Sequence, residues 1–209
     1  MKAALFGAAL LAAPIAATAE ELSFFASVDI VTDNLVAGTT QTSNGPAIQP
    51  YLSIGYGGAY LGIFATNVDF GTNDSAEVDV SLGYRHDFAG GQYLDVGYAR
   101  YLFNGVTGNC CGEAYVIAGS PITEKAWGEL YLAYDPEAET FDRKVTLGTS
   151  LTDEIGVKAS FGKSDVFANT YWDVTASYQV NDRVSGRVGY SGASTGDEGL
   201  FAGISIVLN

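Results

Sequence analysis

The chain has 209 residues, 24 Asp+Glu against 10 Lys+Arg, a formal net charge of −14 and a mean hydropathy of +0.14. So acidic a balance excludes nucleic acid as a partner, because that binding rests on neutralising phosphates. Charged residues are only 16% of the chain while Gly counts 26 and Tyr 13, less charge than a soluble acidic domain carries on its surface.

The N-terminus opens with Lys2 and a small and apolar run from Ala3 to Ala17 that closes on Ala17-Thr18-Ala19. This reads as a secretory signal peptide over residues 1–19, too short for a spanning helix and followed by Glu20-Glu21. Its removal takes away only Lys2, so the balance moves from −14 to −15. The remainder, residues 20–209, is expected to form a single domain. No later stretch is apolar enough for a transmembrane helix, so a membrane location must rest on strands.

Read with a period of two, that remainder divides into about twelve segments of barrel-strand length, each with an apolar register and a polar or small one. Phe24, Ala26, Val28 and Ile30 alternate with Ser23, Phe25, Ser27 and Asp29. Ile48, Leu52, Ile54 and Tyr56 follow; Gly57-Gly58 turns into Leu61, Ile63 and Ala65. Val78, Val80, Leu82 and Tyr84 alternate with Glu77, Asp79, Ser81, Gly83 and Arg85, and after Ala89-Gly90-Gly91 come Leu94, Val96, Tyr98 and Leu102. The rule continues through Val116, Leu132, Leu147, Val157, Val174 and Val188 to Ile204, Ile206 and Leu208. The glycine content penalises helices.

Connections are expected to alternate, with long ones near 33–46, 69–76, 104–112, 135–140, 164–169 and 192–199 and short turns between them. An outer-membrane barrel has longer extracellular loops and short periplasmic turns, so an even strand number places both termini in the periplasm. The competing class is a soluble sandwich or lipocalin-like barrel, whose polar face would be rich in Lys, Glu and Thr. Here that face is Gly, Ser, Ala and Tyr, which suits a crowded lumen, and Phe24, Tyr56, Tyr84, Tyr134, Trp172, Tyr178 and Tyr190 sit near strand ends as interfacial girdles. The predicted class is all-β: a transmembrane antiparallel up-and-down β-barrel in the outer membrane.

The stretches Thr32-Asp33, Gly38-Thr39-Thr40-Gln41, Pro46-Ala47-Ile48-Gln49, Ala59 to Phe70, Glu77-Val78-Asp79-Val80 and Leu94-Asp95-Val96-Gly97-Tyr98 occur in an order that resembles the TorF-like porins, also called Gcw_chp proteins of Gram-negative bacteria. The resemblance covers about Leu22 to Tyr115 and implies an outer-membrane location more than a transport activity. Two positions depart from the family: Asn34 and Ala37 stand where it has an aromatic and an Arg, and Phe103-Asn104-Gly105 replaces its Tyr-Pro-Gly. Leu208-Asn209 also lacks the terminal aromatic common in barrels handed to the barrel-assembly machinery, the partner expected during biogenesis.

Twelve inward-register charges are the candidate pore lining. Asp29, Glu77, Asp79, Glu113, Asp142 and Asp173 fall in the outer halves of their strands with Lys144 beside them, while Asp95, Glu129, Arg85, Lys158 and Arg187 lie deeper. The expectation is an acidic outer mouth and a mixed waist, hence a cation-preferring channel for small polar solutes without a cofactor. The competing reading has these charges pair with one another to hold a non-conducting barrel together. Arg100 and Arg143 share the apolar register near the outer strand ends, where they are expected to meet lipopolysaccharide phosphates. A lipid hydrolase needs a nucleophile and a base; His86 is the only histidine and sits in the apolar register, so no such set assembles. Cys110-Cys111 have no metal-ligand spacing, and a vicinal disulfide and two free thiols both stay open.

Overall fold

The computed structural model describes residues 22–208; the signal peptide expected at 1–19 lies outside them. Twelve long strands are β1 (Leu22–Val31), β4 (Ala47–Tyr56), β5 (Ala59–Asn67), β6 (Ala76–Asp87), β7 (Tyr93–Phe103), β8 (Cys111–Pro121), β9 (Ala126–Asp135), β10 (Thr140–Ser150), β11 (Ile155–Ser164), β12 (Asn169–Gln179), β13 (Val184–Ala193) and β14 (Glu198–Val207). Two short ones, β2 (Leu35–Val36) and β3 (Thr39–Thr40), pair within the first loop. The long strands form a closed antiparallel barrel in which each pairs with its sequence neighbour and β14 returns to β1.

Closure follows from the side-chain alternation. Ile48, Leu82, Leu147, Phe161 and Val174 are exposed on the outside, while Gln49, Ser81, Thr146, Ser160 and Thr175 are buried one residue away on the inside. An exposed apolar belt on a barrel with no free sheet edge is stable in hydrocarbon, where every backbone polar group must bond within the protein. At Gly57-Gly58 both φ angles are positive, +58° and +91°, the geometry a two-residue hairpin demands.

The seam is the thinnest part of the wall. The β1 and β14 strands pair over five residues, Ser27 to Val31 against Val207 to Gly203, while β6 and β7 pair from Glu77 to Asp87. Beyond these pairs, the Thr32 N–H donates to the Ala202 carbonyl and Leu208 N–H to that of Ala26, both at 2.9 Å.

The contrast between long and short connections is confined to the first half. Connections 32–46, 68–75 and 104–110 are long, but 136–139, 165–168 and 194–197 are no longer than 122–125, 151–154 and 180–183 at the other end. Polar residues read from sequence as loop, such as Asp135, Ser164 and Asn169, instead continue the strand ladders, Asp135 opposite Thr140 and Ser164 opposite Asn169.

Candidate functional site

The inward wall is the candidate site, and it has two unlike arcs. From β5 to β10 it is lined by tyrosines and carboxylates. The Tyr60 hydroxyl donates to Asp95 Oδ1 at 2.8 Å and contacts the Tyr115 hydroxyl, and Asp95 is wholly buried. Both Tyr101 and Tyr131 donate to Glu113 Oε2, at 2.9 and 3.1 Å, and Tyr93 donates to Glu129. Phenols therefore take the place of bases as the partners of these acids, which satisfies carboxylate oxygens without cancelling their charge.

Glycines let these rings lie close to the wall. A Cβ placed on Gly97 would sit 2.4 Å from the Tyr115 hydroxyl, and one on Gly83 would sit 2.5 Å from that of Tyr60. Between them Ala99, Tyr115, Ile117 and Ala133 form a small buried cluster on β7 to β9, with Tyr93, Tyr101 and Tyr131 packed against it. The opposite arc, from β11 through β14 to β1, instead presents small hydroxylated side chains, with Ser27, Ser160, Thr175 and Ser191 buried.

All twelve sequence-derived lining residues lie on the face that alternates with the exposed belt, half-buried except for the wholly buried Asp95. They are not, however, a uniform ring. Glu77, Asp79, Glu113 and Asp142 all fall on the tyrosine arc. Asp29 is bonded across the seam to Arg187, Nη1 to Oδ2 at 2.9 Å, and Asp173 Oδ1 accepts from Thr175 at 3.1 Å. Arg85 pairs with Asp87 at 2.9 Å and lies 3.8 Å over the Tyr93 ring, while Lys144 Nζ stands 5.4 Å over Tyr131. Lys158 faces inward on β11, between Gly148 of β10 and Thr175 of β12. Two charges of this face escaped the sequence reading: Asp87, at a strand end, and Asp135, assigned to a loop, which accepts from the Glu137 N–H at 2.7 Å.

The two outer arginines differ. Arg100 already uses its fork on Asn109 Oδ1 (2.6 Å), the Asn109 carbonyl (3.0 Å) and Glu137 (2.8 Å), whereas Arg143 lies 5.5 Å over the Phe141 ring. His86 packs edge-on against Phe88 with centroids 4.5 Å apart, exposed at the turn end of β6 and turned away from the lumen. Cys110 and Cys111 are joined as a vicinal disulfide where β8 begins.

Sequence reasoning had no means of finding the role of the first loop. Its feet are knit by buried and half-buried polar groups: Asp33 Oδ1 accepts from Thr40 and Thr42 hydroxyls at 2.6 and 2.8 Å, and Gln49 of β4 donates to Asn34 Oδ1 at 3.1 Å. Its tip, Ala37-Gly38, reaches Asn169 on the far side of the seam, whose Nδ2 donates to the Ala37 carbonyl at 3.0 Å. The local signals were Gly38 and a run of Asn, Gln and Thr; nothing local points to Asn169.

Solved structures share this architecture. The KdgM porin aligns over 88% of this chain and 99% of its own at TM-score 0.69 and 12% identity, and the NanC porin over 88% and 100% at TM-score 0.59 and 10% identity. Outer membrane phospholipase A from Escherichia coli aligns over 88% and 92% at TM-score 0.54 and 10% identity, so the fold is one that porins and an enzyme share. No curated protein sequence matches the chain. With its closed twelve-strand wall and exposed apolar belt, the molecule has the fold of an outer-membrane β-barrel. The profile of the family described as "Bacterial protein of unknown function (Gcw_chp)" matches residues 15–200, and the chain belongs to that family.

Proposed function

We propose that this barrel is a passive outer-membrane pore of the TorF-like kind, admitting small polar solutes and preferring cations. The observation that carries the reading is the inward face itself: hydroxyls and small residues on one arc, and on the other carboxylates whose partners are tyrosines rather than bases. A charge bonded to a phenol keeps its field, and in a narrow low-dielectric passage that field concentrates ions of the opposite sign. One KdgM structure is described as a complex with oligogalacturonate. Such a polyanion would be repelled by Glu77, Asp79 and Glu113, so this chain's solute is neutral or cationic.

Planar bilayers test the reading. Stepwise conductance, with a reversal potential of cation sign, is the expected result. Anion preference would overturn the charge argument and shift control to Arg85, Lys158 and Arg187. The second reading is a non-conducting structural barrel, favoured by the buried cluster at Ala99, Tyr115, Ile117 and Ala133, which fills part of the interior. Refolded protein that gives no steps in any preparation would establish it. The position of His86 argues against the lipid hydrolase.

At the belt's outer rim Arg143 is the better of the two arginines for a lipopolysaccharide phosphate, because a phosphate at Arg100 must displace Glu137 and Asn109. The Arg143→Gln variant should then raise detergent sensitivity of whole cells; unchanged sensitivity would remove the contact.

A further inference from the structure

The three short connections at the loop end leave the mouth uncovered above β9 to β14, and the first loop is built to cover that side. Residues 32–46 leave β1 and return as β4, yet the β2–β3 hairpin does not stand upright over them. Its near foot is tied down by Gln49 and by the second loop, where the Asp69 N–H donates to the Gln41 carbonyl at 2.8 Å and the Ser43 hydroxyl to the Asp69 carbonyl at 2.9 Å. Its far tip lies against the β12–β13 pair. A Cβ placed on Gly38 would be 3.1 Å from the Ala193 Cβ and 3.2 Å from the Tyr171 Cβ. Those two residues are cross-strand partners, and both occupy the inward register. The hairpin therefore runs inside the mouth, past β1, β14 and the seam between them, to an anchor on the β12–β13 pair, about a quarter of the way round the ring.

That anchor is made for a fixed contact. Asn169 is 2% exposed and directs its amide into the strap, to the Ala37 carbonyl at 3.0 Å and the Thr39 hydroxyl at 3.4 Å. The turn reaches it because Ala37 and Gly38 adopt φ of +48° and +73°, and a Cβ on Gly38 would press within 3.1–3.2 Å of the β12–β13 wall, so a small side chain there is crowded and a branched one displaces the tip. A loop with a swinging tip would leave such a polar group facing water, not another segment's backbone.

We infer that the hairpin 35–40 is a permanent strap along the β12–β1 side of the outer mouth, and that Asn169 and Gly38 hold it where it sets the largest solute the pore admits. This rests on the pore reading above. Because the strap approaches the serine-rich arc, it narrows the side that the tyrosines leave open.

Two kinds of variant test it, each checked first for heat-modifiable gel migration as proof of a closed barrel. In a chain with Cys110→Ser and Cys111→Ser, the pair Gly38→Cys and Ala193→Cys places two Cβ atoms 3.1 Å apart, so the tip need back off by only a few tenths of an ångström to reach the separation of about 3.5–4.5 Å that a disulfide spans. Oxidation in outer membranes should cross-link them, with conductance unchanged by the lock. Asn169→Ala and Gly38→Val should release the tip. Single-channel conductance should then rise on the order of 1.5- to 2-fold, since pore radius governs conduction, and larger uncharged polyethylene glycols should enter. Absence of the cross-link in folded barrels overturns the strap's placement. Released variants that keep wild-type conductance and polymer cut-off overturn its role as the size limit. If neither wild type nor released variants conduct, it is the pore reading that fails, and the cross-link still decides where the strap lies.

Discussion

The ion pair between Asp29 and Arg187 crosses the seam of the barrel, so its removal should change both stability and selectivity, with signs that can be told apart. Nη1 and Oδ2 are 2.9 Å apart, and the side chains retain 16% and 20% exposure. At that distance the gross attraction runs from about 1 kcal/mol in water to about 6 kcal/mol at an effective dielectric near 20. Desolvation and the partial exposure reduce it, so losing either partner should cost about 1.5–3 kcal/mol, the range for a hydrogen bond to a charged group. Arg187→Gln and Asp29→Asn should therefore destabilise the barrel by similar amounts in urea titrations in vesicles, followed by fluorescence of Trp127 and Trp172. The double variant should cost less than the two singles together, by about 1–2 kcal/mol. Selectivity should separate them: Arg187→Gln uncovers a carboxylate and raises the cation-to-anion permeability ratio, whereas Asp29→Asn uncovers a guanidinium and lowers it. Additive stability losses, or reversal potentials that move in the same direction, would refute the pairing as the cause.

Other parts of the wall make their own demands. Changing Glu77→Gln together with Asp79→Asn should lower the cation-to-anion ratio in bilayer reversal potentials at low salt, with the difference shrinking near physiological salt, where charges are screened over about 8 Å. Gly97→Val would place side-chain atoms where the Tyr115 hydroxyl lies; an overpacking cost of about 1–3 kcal/mol should appear in the same urea titration, along with reduced conductance as the ring swings inward. Asp74, in the second loop, is desolvated, which raises its pKa, but hydrogen bonds from Thr72 and Thr107 outweigh that and hold the carboxyl below its usual value. A depressed folded-state pKa stabilises the docked loops above the ordinary carboxylate pKa, and this stabilisation fades as pH falls through the lowered value. Proteolytic nicking of 68–75 and 104–110 should accordingly rise under strong acid, and at neutral pH in Asp74→Asn; equal nicking of wild type and variant would dismiss the bond's importance.

How much of this was legible in one dimension follows from the reach of each signal. A strand exposes alternate residues to opposite faces, so Val78, Val80 and Leu82 against Glu77, Asp79 and Ser81 announced both the strand and its orientation. The belt, the twelve strands and the inward placement of Glu77, Asp95 or Lys158 all derive from that local period. Loop lengths were less legible, because polar residues such as Ser164 and Asn169 look like loop in sequence but continue the strand ladder once a neighbour supplies their backbone bonds.

What only the tertiary structure decided is which distant groups meet. Asp29 and Arg187 are 158 positions apart, and Asn169 and Ala37 are 132 apart. Their contacts exist because closing the sheet brings β1 beside β14 and lays the first loop against β12. The division of the lumen into a tyrosine and carboxylate arc and a serine arc is likewise a property of the ring, since twelve separate alternations do not state their order around it. Local periodicity records which way each side chain faces; only closure, through the shear and register of the strands, determines what it faces.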